Sequence, residues 1–299
     1  MIRVIRPGLR ATIQDAGRTR HLRDGVPTSG PADRLAHALA NALTGNDPGA
    51  AAIEIAGLPF AFVAERSVLV AATGRDVRLV VRDAMPGWMC AFVRAGDEVR
   101  VEGSARYAYL AVSGGIDVPL LLGSRSSYPA ASLGALPLAA GARLPTRREA
   151  LDPSRAGRTA RAPDYDAEVA RVILGPHDDR VDLDAFLDAR FTIDERSDRM
   201  GARLAGATIA MRGGELLTTG VVEGAVQIPS GGAPIVLLSD HQTTGGYPVV
   251  ATVIAADVPL VAQRRPGESL RFVATSDEEA VSALQRVRRE VFAVREAVD

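Results

Sequence analysis

The chain has 299 residues, of which 47% are hydrophobic, so it can bury a large core and is long enough for two domains. Its net charge of −1 gives no electrostatic reason to expect nucleic acid or an anionic membrane as a partner. The single cysteine, Cys90, excludes an internal disulfide framework. Because the sequence also shows no signal-peptide core and no apolar run that could span a bilayer, we expect a cytoplasmic protein.

Every basic side chain apart from the four histidines is an arginine, since the sequence contains no lysine. This excludes Schiff-base chemistry, a Walker-type lysine and covalent attachment of biotin to this chain. A phosphate group would have to be bound by guanidinium groups, by backbone N–H groups or through a metal ion.

The first half of the chain predicts many short strands interrupted by one helix. Apolar or alternating runs punctuated by Gly and Pro predict strands at residues 2–5, 51–55, 67–72, 77–82, 90–93, 98–101 and 106–113. Residues 31–44 predict a helix, with Pro31 at its first position and Gly45 just past its end. Short strands with regular turn signals favour a sandwich or barrel over a doubly wound sheet.

The composition shifts to Arg, Ala and Pro between residues 141 and 163, which indicates a linker. We therefore predict a β-rich domain at residues 1–147, a linker at 148–165 and a second β-rich domain at 166–299. Strands are expected at residues 169–174, 207–211, 225–228, 235–238, 249–254 and 269–273. A capping box at residues 276–279 begins a long final helix, whose apolar stripe runs from Ala280 to Val298. We expect this helix to pack on its own domain, with a partner-facing role as the alternative.

Four segments carry more polar and glycine residues than folding alone requires. The first segment consists of residues 12–18 followed by residues 25–33. It contains Asp15, Arg18 and Asp33, and its Gly-rich part leads into the N-terminus of the predicted helix. The free N–H groups and partial positive charge of such an end can bind an anion. The alternative for Asp33 is that it only stabilises its own helix.

The second segment, residues 197–204, contains Arg199 and Arg203. Four residues apart, these arginines can clamp a phosphate or carboxylate, or they can be a surface pair on a short helical turn. The third segment, residues 224–232, contains Gln227, which can bind an amide through its donor and its acceptor, and Pro229, which begins a Gly-rich turn.

The fourth segment, residues 240–248, is a loop between two apolar runs. Its adjacent glycines allow close approach of the backbone to a ligand, although an ordinary polar hairpin is the alternative. Its candidate binding residues are Asp240, Gln242, Thr243, Thr244, Gly245, Gly246 and Tyr247.

Several familiar sites are absent from the sequence. It contains no P-loop and no GxGxxG following a strand, and its histidines lack metal-ligand spacing. Cys90 lies in an apolar context without a nearby histidine, and His37 lies within the predicted helix, where a structural role is expected. The residues alone thus indicate a site for a polar amide and an anion.

Taken together and in order, these segments resemble a known family. The matching pieces are residues 12–18, 25–33, 40–41 with 45–46, 197–204, 224–229, 240–248 and 257–267. Their order resembles the family that contains the C subunit of bacterial ATP-dependent 5-oxoprolinase. This wider family is also described as biotin-dependent carboxyltransferases, or allophanate hydrolase subunit 2.

The resemblance implies a mainly β fold with two cyclophilin-like β-barrel subdomains. It also implies a stable complex with a B subunit, in which 5-oxoproline is activated with ATP and Mg²⁺, followed by hydrolysis to glutamate with an A subunit. In that reading Asp15, Arg18, Arg199 and Asp240 are the candidate catalytic residues. The candidate substrate-binding residues are Gln227, Pro229, Gln242, Thr243, Thr244, Gly245, Gly246 and Tyr247.

Two alternatives remain open at the level of sequence. The chain can be a carboxyltransferase subunit that moves a carboxyl group from biotin to a urea-like nitrogen, in which case another chain or domain must carry the biotin. It can also be a non-catalytic subunit that binds a small inhibitor protein. Of the three, we predict the C subunit of an ATP-dependent 5-oxoprolinase.

Overall fold

A computed structural model describes residues 1–147, 151–213 and 216–296. The chain forms two compact units. The first contains Met1–Arg18, Ser29–Pro163 and the segment from Arg288 onward, and the second contains Thr19–Thr28 and Asp164–Val287. Residues 19–28 and the segment from Arg288 thus lie in the opposite unit from the one expected from sequence position. Part of the predicted linker, residues 148–150, lies outside the described residues.

The first unit is built from two antiparallel sheets. A six-stranded sheet has the order β11-β1-β4-β9-β6-β7, and a five-stranded sheet has the order β2-β3-β10-β5-β8. The strands are β1 (Ile2–Arg6), β2 (Arg10–Gln14), β3 (Ala52–Ala56), β4 (Phe60–Ala64), β5 (Val68–Thr73), β6 (Val77–Val80), β7 (Ala84–Pro86), β8 (Cys90–Val93), β9 (Glu98–Gly103), β10 (Ala108–Val112) and β11 (Arg143–Leu144).

The core of the first unit lies where alternate residues of both sheets meet. Ile53 and Ile55 of β3, Leu110 of β10 and Phe62 of β4 belong to one buried cluster. Since side chains alternate along a strand, Glu54 projects from the opposite face of its sheet. Glu54 is buried as well, so polar groups on that second face must satisfy one another.

Helix α1 (Arg34–Leu43) begins later than predicted because Asp33, and not Pro31, determines its start. The Asp33 carboxylate accepts a hydrogen bond from the Ala36 amide at 2.9 Å, which makes Asp33 the N-cap. The Asp33 amide donates to the Tyr109 hydroxyl, and that hydroxyl donates to Glu54 at 2.8 Å. Burial and the negative charges of Glu54 and Asp33 raise the pKa of Tyr109, which keeps this hydroxyl protonated.

The second unit contains a closed seven-stranded barrel of order β12-β19-β16-β17-β14-β13-β20, and a two-stranded ribbon of β15 and β18. Its strands are β12 (Val169–Leu174), β13 (Phe191–Ile193), β14 (Gly201–Gly206), β15 (Thr219–Gly220), β16 (Ala225–Gln227), β17 (Ile235–Leu237), β18 (Thr244–Gly245), β19 (Val249–Val253) and β20 (Ser269–Ala274). Its helices are α2 (Leu183–Asp188), α3 (Val258–Gln263) and α4 (Asp277–Glu296), of which α4 continues into the first unit.

Helix α4 is capped as predicted, and its residues are divided between the two units. The Glu279 amide donates to the Ser276 hydroxyl at 3.2 Å, which is one half of the capping box. Val294 packs against Leu43, Leu69 and Cys90 of the first unit. The expectation that this helix packs on its own C-terminal domain is therefore wrong for its last part, because the residues from Arg288 onward belong to the first unit. Val298, at the end of the predicted stripe, lies outside the described residues.

The mainly β class with a few helices is confirmed, and the second unit has the expected closed barrel. The predicted strand at residues 207–211 is wrong, since these residues form no ladder. The predicted helical turn around Arg203 is also wrong, because Arg203 lies in β14. Among the described residues, no helix is long and apolar enough to cross a membrane.

The buried His37 makes the stability of the protein depend on pH. Burial lowers the pKa of His37 from 6.5 to about 4, although the Gln14 carbonyl and Asp15 oppose this shift. The unfolded chain therefore binds one more proton than the folded chain between these two values. Stability should be complete above pH 6.5 and should fall as the pH approaches 4, by about 3 kcal/mol for this residue.

Urea unfolding of the protein and of His37→Gln at several pH values tests this prediction. The Gln variant keeps a polar group but cannot titrate, so its stability should fall less below pH 6.5. An equal fall in both proteins would contradict the assignment.

Candidate functional site

A buried ion pair in the second unit joins two of the segments that the sequence singles out. Nε and Nη2 of Arg199 donate to the two carboxylate oxygens of Asp240 at 2.7 and 3.0 Å. Both side chains are almost fully buried, with 5% and 6% exposed. The Asp240 amide also donates to the Arg199 carbonyl at 2.9 Å. These three hydrogen bonds, together with one from the Leu238 amide to the Met200 carbonyl at 3.0 Å, join the turn before β14 to the loop after β17.

Beside this ion pair lies a pocket of about 330 Å³. Four predicted substrate-binding residues line it: Gln227, Pro229, Gln242 and Tyr247. The remaining wall comes from the region of Arg199, with Asp198, Met200, Gly201 and Arg203, and from Ile235 and Leu237 of β17. The sequence pattern did not select Asp198, Met200, Ile235 or Leu237 as binding residues, because an alternating strand pattern does not reveal which face bears a pocket.

Gln227 occupies the wall of this pocket because of a β-bulge. Val226 pairs with Ala251 and Gln227 pairs with Val249, which leaves Val250 without a register partner on β16. Bulges of this kind bend a strand and redirect its side chains. Val226 is fully buried, and Gln227 projects from the other face of the barrel wall.

In the side-chain carboxamide of Gln227, the oxygen has a hydrogen-bond partner and the nitrogen has none among the described residues. Its Oε1 accepts a hydrogen bond from Nε2 of Gln242 at 3.1 Å. Its Nε2 has no hydrogen-bond partner among the described residues, although only 1% of the residue is exposed. Since buried donors in folded proteins are almost always paired, this group is suited to donate to a carbonyl oxygen of a bound ligand.

The two-stranded ribbon covers Gln227 and explains one glycine of the 240–248 loop. Gly245 pairs with Thr219, and Thr244 pairs with Gly220. A Cβ added at Gly245 would lie 2.6 Å from Nε2 of Gln227, which is closer than real contacts allow. A Cβ at the next residue, Gly246, would meet nothing closer than 3.6 Å. Only the first glycine is therefore required by close packing.

The remaining predicted residues of this loop do not line the pocket. Thr243 is half-buried, and its carbonyl accepts a hydrogen bond from the Val221 amide at 3.1 Å. Thr244 and Gly246 are exposed. The structure thus brings together four of the eight predicted substrate-binding residues. A fifth, Gly245, lies against one of them, Gln227.

Asp15 lies in the first unit, where its carboxylate is fully engaged. Oδ1 accepts hydrogen bonds from the Gly17 amide and from the hydroxyls of Ser124 and Ser126, and Oδ2 accepts one from the Arg125 amide at 2.6 Å. Burial tends to raise the pKa of Asp15, but these hydrogen bonds outweigh it and hold the pKa below its ordinary value. Asp15 is therefore an ionised carboxylate that ties two loops together.

Arg18 is buried in the same region and donates to the Ser126 carbonyl. The run Ser124-Arg125-Ser126-Ser127, which receives both Asp15 and Arg18, was not selected from the sequence. Its three serines are fully buried, and their only sequence signal is this clustering of small hydroxyl residues. Neither Asp15 nor Arg18 contributes to the pocket of the second unit.

The described residues contain no group of three or more His, Cys, Asp or Glu side chains that could hold a metal ion. The two candidate carboxylates for Mg²⁺ are already bound, Asp15 by four donors and Asp240 by Arg199. In this part of the chain the donor set therefore does not fit a Mg²⁺ site.

With this geometry in place, comparison with known proteins assigns the family. Residues 24–274 match the family described as the carboxyltransferase domain, subdomain A and B. The chain belongs to this family. The match covers both units and confirms the resemblance found in the sequence.

The chain is similar over its whole length to two curated relatives, each named as the C subunit of 5-oxoprolinase. It is 36% identical to the relative from Escherichia coli, with 97% of this chain and 96% of the relative covered. It is 32% identical to the relative from Haemophilus influenzae, with 100% and 99% covered.

A solved structure of the K. lactis urea amidolyase is also similar. The TM-score is 0.86 at 26% sequence identity, and the match covers 99% of this chain but only 20% of the amidolyase. The fold of this chain is therefore also found as one part of a much longer enzyme.

Asp240→Asn should destabilise the protein by about 3 to 5 kcal/mol, because it leaves the Arg199 guanidinium buried without its carboxylate. Glu168→Gln is the matched control, since Glu168 binds Arg190 on the surface and such pairs contribute about 0 to 1 kcal/mol. Urea unfolding measures both. Similar losses in the two variants would contradict a structural role for the buried pair.

Proposed function

We propose that this chain is the C subunit of an ATP-dependent 5-oxoprolinase and that the pocket of its second unit binds the lactam of 5-oxoproline. One observation supports this most strongly: the buried Nε2 of Gln227 faces no acceptor among the described residues while lining a pocket of suitable size. The full-length similarity to two relatives named as 5-oxoprolinase C subunits supports the same reading.

The pocket residues suit the chemistry of a cyclic amide. The lactam oxygen accepts a hydrogen bond, and Nε2 of Gln227 is a donor that has no partner among the described residues. The side chain of Gln242 holds the carboxamide of Gln227 in this orientation. The lactam N–H requires an acceptor, and two lining residues carry one, Asp198 as a carboxylate and Gln242 as an amide oxygen.

In the proposed reaction the lactam oxygen attacks the terminal phosphoryl group of ATP, and ADP leaves. Catalysis of such transfers depends on positioning and on stabilisation of charge. The part of this chain is to bind and orient the lactam. ATP and Mg²⁺ are assigned to a site shared with the B subunit, because the described residues of this chain do not form a Mg²⁺ site. With the A subunit, water then attacks the phosphorylated lactam carbon, inorganic phosphate leaves and the ring C–N bond breaks to give glutamate.

A second candidate is a carboxyltransferase half-site that moves a carboxyl group from biotin to a urea-like nitrogen. The similarity to the K. lactis urea amidolyase favours it, and a pair of glutamine carboxamides would also bind a urea. Because this chain has no lysine, another chain or domain would have to carry the biotin.

Reconstitution separates these two functions. The chain, combined with the A and B subunits, ATP and 5-oxoproline, should release ADP and glutamate in equal amounts. A verified complex that gives no turnover with 5-oxoproline, but decarboxylates carboxybiotin when urea is added, would replace the first function with the second.

Gly245→Ala tests whether the pocket is used, because the new methyl group displaces the Gln227 carboxamide and meets Gln242 and Val221 only at ordinary contact distances of 3.5 Å. We expect kcat/KM for 5-oxoproline to fall about tenfold or more, as expected from loss of one hydrogen bond of about 1.5 kcal/mol. Gly246→Ala is the matched control, since its methyl group meets no atom closer than 3.6 Å and does not approach Gln227, and it should leave kcat/KM unchanged. Equal kinetics for the two variants would exclude Gln227 from substrate binding.

A further inference from the structure

Arg203 lines the same pocket, yet the proposed lactam contacts do not use it. Its backbone is fixed at the start of β14, where the Arg203 amide donates to the Ser197 hydroxyl at 3.0 Å and the Arg203 carbonyl accepts from the Asp194 amide at 2.9 Å. Its guanidinium forms no hydrogen bond and no ion pair within the described part of the chain. The strand therefore fixes the backbone position from which the Arg203 side chain extends, and the charge of that side chain is available to a ligand.

The carboxylates around Arg203 are already bound by other groups. Asp194 accepts hydrogen bonds from Nε and Nη2 of Arg196, both at 2.8 Å, and Arg203 acts on it only through space. Asp240 is bound by Arg199. Oδ1 of Asp198 accepts hydrogen bonds from the amides of Met200 and Gly201 at 2.8 and 3.3 Å. The positive charge of Arg203 is thus not consumed by a neighbouring ion pair.

The strand register relates Arg203 to Gln227. Both residues pair with Ile235, Arg203 from β14 and Gln227 from β16, so all three lie on one rung of the barrel wall. Residues that pair directly project to the same face, and the two outer strands of such a rung are about 10 Å apart. The side chains of Arg203 and Gln227 therefore flank Ile235 and can reach the two ends of one small ligand.

We propose that Arg203 binds the carboxylate of the substrate and thereby makes this pocket selective for a lactam that carries a carboxylate. The inference rests on the proposed function, and it concerns which end of the substrate each residue holds. Gln227 holds the lactam oxygen, and Arg203 holds the carboxylate through its planar fork of N–H donors. Ile235, between them, supplies an apolar surface for the ring.

This arrangement distinguishes an acidic lactam from neutral ligands. A urea or the ureido ring of biotin offers the acceptor for Gln227 but no carboxylate for Arg203. The pocket also contains Asp198, whose negative charge would oppose an anion elsewhere in the cavity. An acidic ligand is therefore expected to bind in one orientation, with its carboxylate at Arg203.

The test compares 5-oxoproline with its neutral carboxamide in the complex reconstituted from this chain with the A and B subunits. We measure KM for 5-oxoproline and the inhibition constant of the carboxamide. Arg203→Gln should raise KM for 5-oxoproline by about 10- to 100-fold, as for loss of a charge-assisted hydrogen bond, and should leave the inhibition constant of the carboxamide within about threefold. Arg203→Lys, which keeps the charge but not the fork, should give an intermediate KM.

Arg190→Gln is the matched control, because Arg190 binds Glu168 on the surface of the same unit and does not line the pocket. It should change neither constant. The proposal is overturned if Arg203→Gln changes KM for 5-oxoproline by less than about threefold, or if both compounds weaken equally. Absence of turnover in the complex that contains the unsubstituted chain would instead refute the proposed function.

Discussion

The candidate pocket depends on one buried interaction, the ion pair between Arg199 and Asp240. Taking both charges out of water is costly, and the bidentate geometry with short N–O distances offsets that cost only while both partners are present. The pair fixes the turn that contains Asp198 and Met200 relative to the loop that contains Gln242 and Tyr247. Since both segments line the pocket, this contact joins two of its walls.

This role differs from the one that the sequence suggests for the same residues. Within polar motifs, an arginine and an aspartate resemble a phosphate-binding group and a general base. Catalytic roles for Arg199 and Asp240 stay predictions. Their burial and mutual hydrogen bonds are explained without any ligand. The groups with unused bonding capacity lie one step away, at Nε2 of Gln227 and at the guanidinium of Arg203. In this unit, the buried ion pair has a structural role. The polar groups with unused hydrogen-bonding capacity belong to Gln227 and Arg203, which line the pocket.

For the 240–248 loop, the sequence shows which polar and glycine residues are available, but it does not show how the loop is folded. The predicted strands at residues 90–93 and 169–174 match β8 and β12 of the structure. Short apolar runs bounded by turn residues favour strands, so these could be predicted from the sequence. The short strand pair of β15 and β18 could not be predicted, since two residues give no periodicity. The distinction between Gly245 and Gly246 was equally inaccessible, because it arises from the distance to Gln227, which is remote in sequence.

The convergence of Asp15 and Arg18 on the Ser124–Ser127 run shows the same limit in the first unit. These segments are more than 100 residues apart, and only the tertiary fold places the serine hydroxyls against the carboxylate. The sequence correctly marks residues 12–18 as unusual, but their bonding partners were not visible in any local pattern. Local chemistry is therefore readable from sequence, whereas the pairing of distant polar groups is not.

A crystal structure of 5-oxoproline bound to this chain in complex with the B subunit tests most directly whether Gln227 binds the lactam. We expect electron density for the ligand in the second-unit pocket, with the lactam oxygen within hydrogen-bonding distance of Nε2 of Gln227. Density for 5-oxoproline elsewhere, with this pocket filled only by solvent, would contradict the claim.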